Sequence, residues 1–135
     1  MCGSTAHQKY HTKKSFDIWK CDQCGLLRLY PLPTPEELER CYGEGYFTGD
    51  ASCDGYMDYD YEKEVTRRTL ERHLDLIQEH VPVGEMFEVG AATGYFLSLA
   101  QARGWRVRGV DVSHYAAAQA RDKGLLVAQG GTEAL

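Results

Sequence analysis

The stretch Phe87-Glu88-Val89-Gly90-Ala91-Ala92-Thr93-Gly94-Tyr95-Phe96, an apolar run that gives way to small residues, constrains this chain more than any other. Further on, a second run from Val107 to Asp111 closes on an acid. A strand entering a glycine-containing turn, then a helix, then a strand ending in a carboxylate describes one edge of a parallel α/β sheet whose strand ends hold nucleotides. The flanking pattern extends this reading. Glu85 to Val89 reads as a strand, and Thr93 or Gly94 opens a helix with Phe96, Leu97, Leu99 and Ala100 facing inward, ended by Gly104. Trp105 to Val112 alternates as a second strand. Ser113 caps an alanine-rich helix from His114 to Lys123, Gly124 ends it, and Leu125 to Ala128 forms a third strand. This order demands parallel pairing.

Upstream, Glu62 to His80 carries Val65, Leu70, Leu74 and Ile77 at helical spacing, with Leu76 broadening the stripe. Glu64, Arg67, Arg68, Glu71 and Arg72 form its solvated face, and Pro82 and Gly84 stop it. His73 and His80 lack a ligand partner at i+4 and read as helix-surface residues. Residues 43–61 mix Gly43, Gly45, Gly49 and Gly55 with Tyr46, Phe47, Tyr56, Tyr59 and Tyr61, which suits an irregular segment. Its tyrosines either cover the flank of the following domain or line the mouth of a ligand site, Tyr46 in particular beside an acceptor. Tyr30 to Pro35 holds three prolines and is a stiff connector. Thr34 then caps a short helix from Pro35 to about Tyr42, with Glu36 and Glu37 at its positive end.

Five cysteines, Cys2, Cys21, Cys24, Cys41 and Cys53, all fall in the first 53 residues. An odd count with a C-x-x-C indicates thiols or metal rather than a disulfide framework. The alternating segment Ser15 to Lys20 leads into Cys21-Asp22-Gln23-Cys24-Gly25, the pattern of a hairpin whose turn is a zinc knuckle. A structural zinc on Cys2, Cys21 and Cys24, with His7 or His11 as a fourth ligand, is one reading. A decayed ribbon of plain thiols is the other. Cys41 and Cys53 have no partner at ligand spacing and read as buried or incidental.

A nicotinamide or flavin site wants glycine at relative positions 1, 3 and 6, here Gly90, Ala92 and Tyr95, and the sixth position fails. Instead, Glu88-x-Gly90-x-Ala92-x-Gly94, with Asp111 ending the next strand, resembles the signature of class I S-adenosylmethionine-dependent methyltransferases. The string C-x-x-C-G-Leu26, the Tyr30-Pro31-x-Pro33 connector, Glu37-Leu38, Tyr42 and Tyr46-Phe47 resemble the N-terminal region of bacterial members that begin with a zinc-ribbon-like module. The resemblance implies an α/β fold, the N-terminal half of a Rossmann-like parallel sheet preceded by that module: residues 1–30, a connector over 31–61, and a partial methyltransferase domain over 62–135. It also implies S-adenosylmethionine held by Glu88, Gly90, Ala91, Gly94, Asp111 and Val112, with possible structural zinc, and methyl transfer to a small-molecule or sugar acceptor. Glu88 would approach the cofactor's amino group and Asp111 its ribose hydroxyls.

Three departures stand out: Ala92 replaces the usual middle glycine, Gln129-Gly130-Gly131-Thr132 replaces an acid after the third strand, and the first zinc knuckle is incomplete. Three strands, where the family has about seven, suggest a fragment, or an edge covered by self-association or by a missing C-terminal half. A non-catalytic zinc-binding or assembly module and a nicotinamide-dependent oxidoreductase are the competing readings. With 15 bases against 20 acids and a net charge of −5, the chain has no electrostatic footprint for nucleic acid. Val89 to Gln101 is too short and too interrupted to span a bilayer. Without a signal-like N-terminus, a cytoplasmic protein with no membrane partner is expected.

Overall fold

The computed structural model describes residues 2–13, 16–49 and 55–134. Cys53 lies outside the described residues. The architecture is mixed α/β, in two compact units, Met1–Glu37 and Leu38–Leu135. Among the described residues, no helix is long and apolar enough to cross a membrane.

The first unit is an antiparallel sheet of β1 (His7–Lys13), β2 (Phe16–Cys21) and β3 (Leu27–Leu29), in that spatial order. β2 and β3 form the expected hairpin, with Trp19 opposite Arg28 and Ile18 opposite Leu29. At its turn the Gly25 N–H donates to Cys21 O at 3.0 Å, and the Cys21 N–H donates to Leu26 O at 2.9 Å. β1 forms where the sequence has no apolar alternation. Beyond His7 it is exposed along its whole length, so backbone pairing to β2 forms the strand without an apolar face. The rings of His7, Trp19 and Tyr30 meet edge to face at 5.6–5.8 Å and supply a small aromatic core. Thr34 and Glu37 cap reciprocally: the Thr34 N–H donates to Glu37 Oε2 at 2.9 Å, and the Glu37 N–H donates to Thr34 Oγ1 at 3.2 Å.

Helix α1 (Pro35–Cys41) follows, and Cys41 is exposed rather than buried. The next stretch is more regular than its glycines suggest, because it folds into α2 (Glu44–Thr48) and the start of α3 (Tyr59–Val65). The single helix expected from Glu62 to His80 is two, α3 and α4 (Arg67–His80). At the division the Thr66 hydroxyl donates back to Lys63 O at 3.1 Å and to Glu62 O at 3.4 Å, a side-chain bond of the kind that bends a helix. Val65, the last residue of α3, is 72% exposed. Leu76 is also exposed, whereas Leu74 is fully buried.

Three parallel strands follow, β4 (Glu85–Val89), β5 (Arg106–Asp111) and β6 (Leu126–Gln129), in the order β4-β5-β6. Helices α5 (Tyr95–Ala102) and α6 (His114–Asp122) connect them and pack on the sheet. Leu97, Ala100, Ala117 and Ala120 meet Val107, Val127, Trp105 and Leu125 in the main core, joined by Leu74 from α4. Side chains alternate along each strand. The other face carries Phe87, Val89 and Leu126, exposed by 43%, 59% and 69%. A shallow groove of about 590 Å³ runs there, rimmed by Arg108 and Arg121.

The close packing of α5 and α6 against the loop requires Gly94. Its φ is +78°, and a Cβ there would lie 2.2 Å from Leu125 Cδ1 and 3.1 Å from Ala120 Cβ. Gly124 has a similar φ of +80° with open space around it. Gly94→Ala is therefore expected to destabilise the fold by about 2–4 kcal/mol, combining overpacking with left-handed strain, and Gly124→Ala by only about 1 kcal/mol. Equilibrium denaturant unfolding of the two variants measures the contrast.

Candidate functional site

Two places gather chemistry, one in each unit. In the first, the sulfurs of Cys2, Cys21 and Cys24 all lie within 4.8 Å of one another, with Cys2 Sγ to Cys21 Sγ at 3.6 Å. Tetrahedral zinc at about 2.3 Å from each ligand holds its sulfurs about 3.8 Å apart, so the three thiols fit such an ion. N–H groups of Cys24 and Gln23 face the Cys21 sulfur and pull its pKa down to about 7, favouring the thiolate a metal needs. Neither histidine joins the cluster. The His7 ring lies 3.2 Å from the Arg28 guanidinium and packs against Trp19 and Tyr30, while His11 is exposed on β1.

In the second unit the loop after β4 is built around Asp111. Its Oδ2 accepts from the Ala92 N–H at 2.7 Å and its Oδ1 from the Ser113 N–H at 2.9 Å, and the residue is only 7% exposed. The N–H groups of Gly90 and Ala91 both donate to Val110 O, at 2.9 and 3.0 Å. Ser113 caps α6 as expected, its hydroxyl accepting from the Ala116 N–H at 3.2 Å. Ala92 takes φ +48°, a left-handed conformation in which its methyl is buried with Phe47 and Ala116. The alanine therefore fills a niche where a glycine would leave a gap.

Helix α3 is fastened to this loop. Asp60 accepts from the Thr93 hydroxyl and pairs with Lys123, both at 2.5 Å, and Lys123 also donates to Thr93 O at 3.0 Å. Tyr46, Phe47, Tyr59 and Tyr115 pack together beside Ala92, so most of the tyrosine cluster serves as a cover. Burial pushes the Tyr59 phenol well above its ordinary pKa, which keeps it a neutral donor.

Beside the loop opens a cleft of about 240 Å³, lined by Glu88, Gly90, Ala91, Tyr59, Lys63 and Tyr95 among others. The Glu88 Oε2 atom is buried with no hydrogen-bond partner. Burial, reinforced by the neighbouring Asp111 charge, pushes the Glu88 carboxyl up to about 7. An orphaned acid in a cleft is a mark of a ligand site.

Of the residues expected at the site, Glu88, Gly90 and Ala91 share this cleft. Asp111 lies beneath the loop, Val112 is half-buried next to it, and Gly94 faces Leu125 and Ala120 rather than the cleft. Spacing had not singled out Asp60, Lys63 or Gly109. Gly109 was readable as an isolated glycine within a strand pattern: a Cβ there would sit 2.8 Å from Ala91 Cβ, so its absence lets the loop approach β5. No family model and no curated protein matches this chain.

The folded-state pKa of Glu88 lies above its usual value of 4.5, so the native state holds the extra proton between those two values. Its contribution to stability therefore falls as pH rises from about 4.5 to about 7 and is level above that. Glu88→Gln is expected to raise unfolding free energy at pH 8 by about 1–3 kcal/mol, with the gap closing toward pH 4.5. Denaturant titrations across this range test it. Separately, elemental analysis of purified protein is expected to show about one zinc per chain, lost in Cys21→Ser. A zinc content unaffected by that change would remove the cluster from consideration.

Proposed function

We propose that this chain carries the cofactor-binding part of an S-adenosylmethionine-dependent methyltransferase with a Rossmann-like sheet, acting on a small-molecule or sugar acceptor. The observation that carries the reading is Glu88: a buried carboxylate oxygen without a partner, in a cleft that it shares with the Gly90–Ala91 turn. Such a group fits an ammonium, which supplies the hydrogen bond and the charge that the oxygen lacks. The same anion disfavours a nicotinamide dinucleotide, whose pyrophosphate would be repelled at this loop.

When bound, S-adenosylmethionine would supply an electrophilic methyl: an acceptor oxygen, nitrogen or carbon bonds to that carbon as its C–S bond breaks, and the bonding pair leaves with sulfur as the neutral thioether S-adenosylhomocysteine. The chain's own residues bind and orient. Glu88 anchors the amino-acid end. Asp111, buried beneath the turn, holds it through the Ala92 and Ser113 N–H groups and would reach ribose hydroxyls only through the lone pairs those two bonds leave. Tyr59 and the neighbouring rings shield one side of the cleft from water. Alignment, rather than covalent chemistry, is the contribution expected of such a site.

The three-sulfur cluster favours a second reading, in which the protein is a zinc-stabilised, non-catalytic assembly module. Calorimetry separates the alternatives. S-adenosylhomocysteine is expected to bind at pH 8, with affinity falling at least tenfold in Glu88→Gln and falling in the wild type as pH drops below about 7. Binding of a reduced nicotinamide dinucleotide without S-adenosylhomocysteine would establish the oxidoreductase instead. Zinc uptake with neither ligand would establish the assembly module.

A further inference from the structure

The spacing that suits three thiols to a metal also suits two of them to a covalent bond. Cys2 Sγ and Cys21 Sγ lie 3.6 Å apart, with Cys24 Sγ within 4.8 Å of both. Cys2 and Cys24 are exposed and Cys21 is half-buried, around a cavity of about 190 Å³ that His7 and Arg28 also line. A small oxidant in solution therefore reaches all three sulfurs. The backbone decides which pair joins most easily. Cys21 ends β2, where its N–H donates to Leu26 O at 2.9 Å, and Cys24 sits in the turn closed by the Gly25 N–H to Cys21 O bond at 3.0 Å. Cys2 lies ahead of β1 on a short arm that belongs to no helix or strand. The arm is tied down at Ala6, whose carbonyl accepts from the Asp22 N–H at 3.1 Å and whose N–H donates to Ser4 Oγ at 3.1 Å. Gly3, at φ +76° with open space around it, leaves Cys2 free to swing.

A disulfide holds its sulfurs about 2.05 Å apart, so the Cys2 arm has to close about 1.5 Å, and no strand bond breaks when it does. We infer that Cys2 and Cys21 are a redox-active pair, reduced when the cluster holds zinc and joined by a disulfide when it does not. The metal half of this inference rests on the zinc reading of the cluster, and none of it on the methyltransferase reading. With hydrogen peroxide as the oxidant, one thiolate attacks a peroxide oxygen; the S–O bond forms as the O–O bond breaks, and hydroxide leaves. The second thiolate attacks that sulfur, the S–S bond forms, the S–O bond breaks and a second hydroxide leaves. Two protons turn the hydroxides into water, so each sulfur gives up one electron and the peroxide takes two. Cys24 alone is then left as a thiolate, too few ligands to hold the ion. Zinc and the disulfide tie the same arm to the same turn, so the sheet keeps one cross-link in either state. Exposed disulfides are the readily reduced ones, which makes the exchange reversible.

The test treats the zinc-loaded chain with hydrogen peroxide and follows zinc release with a chromogenic chelator, alongside intact mass and tryptic peptides. The chain is expected to become two hydrogens lighter as the zinc is released, with peptide 1–9 linked to peptide 21–28. A dithiol is expected to remove the link and restore zinc binding. Cys24→Ser is expected to form the same link and Cys21→Ser to lose it, and peptide mapping reads both outcomes whether or not the variant sheet is stable. A bond confined to peptide 21–28, a link that persists in Cys21→Ser, or zinc release with no link overturns the proposal. Zinc retained on reduced thiols in excess peroxide overturns it as well. A reduced chain that takes up no zinc yet forms the Cys2–Cys21 link removes the metal reading and keeps the redox pair.

Discussion

The carboxylate of Asp111 is the contact on which the second unit depends. It closes β5, and its two oxygens receive N–H groups from two different loops, Ala92 after β4 and Ser113 at the start of α6. Hydrogen bonds to a charged group contribute about 1.5–3 kcal/mol each, enough to offset the roughly 1–2 kcal/mol of left-handed strain at Ala92. The loop is thereby held in one conformation. With the loop fixed, Thr93 presents its hydroxyl to Asp60, Lys123 completes the cluster, and α3 is brought to the cleft with Tyr59 and Lys63.

Placing Asp111 there has an electrostatic consequence for its neighbour. Glu88 lies close enough to feel that charge, is largely withdrawn from water, and has no compensating donor for one oxygen. A buried acid of this kind costs stability when ionised, and the protein retains it where an apolar residue would pack at lower cost. Such a conflict between stability and chemistry is expected at a binding site. The N-terminal sheet shows the same preference at smaller scale: three thiols converge in a unit whose aromatic core is only three rings, so a metal would add stabilisation that burial alone does not provide there.

Legibility in the sequence followed the strength of the periodic signal. The strands and helices from Glu85 onward were readable to within a residue or two, because apolar alternation, glycine stops and the Ser113 cap all agreed. Thr34 was equally readable as a cap, whereas the bond by which Glu37 accepts from the Thr34 N–H was not. β1 was hidden since every residue after His7 is exposed and the strand forms by backbone pairing. The division at Thr66 was hidden as well, for a hydroxyl returning to its own helix leaves the hydrophobic period intact up to Val65. The α2 helix was obscured by its glycines, Gly43 before it, Gly45 within it and Gly49 after it.

By itself the sequence determined the parallel α/β order, the glycine turn with Glu88 before it and Asp111 opposite, and the C-x-x-C hairpin. Each is encoded by residues near in the chain, through periodicity, turn chemistry or fixed spacing. Only the tertiary structure decided that His7 turns to Arg28 rather than joining the three thiols, and that Asp60 pins α3 to the loop. It alone brought Lys63 and Tyr59 of α3 to the cleft that Glu88 lines. These contacts join residues far apart in sequence, and no local pattern specifies which distant side chains meet when helices and strands close around a shared core.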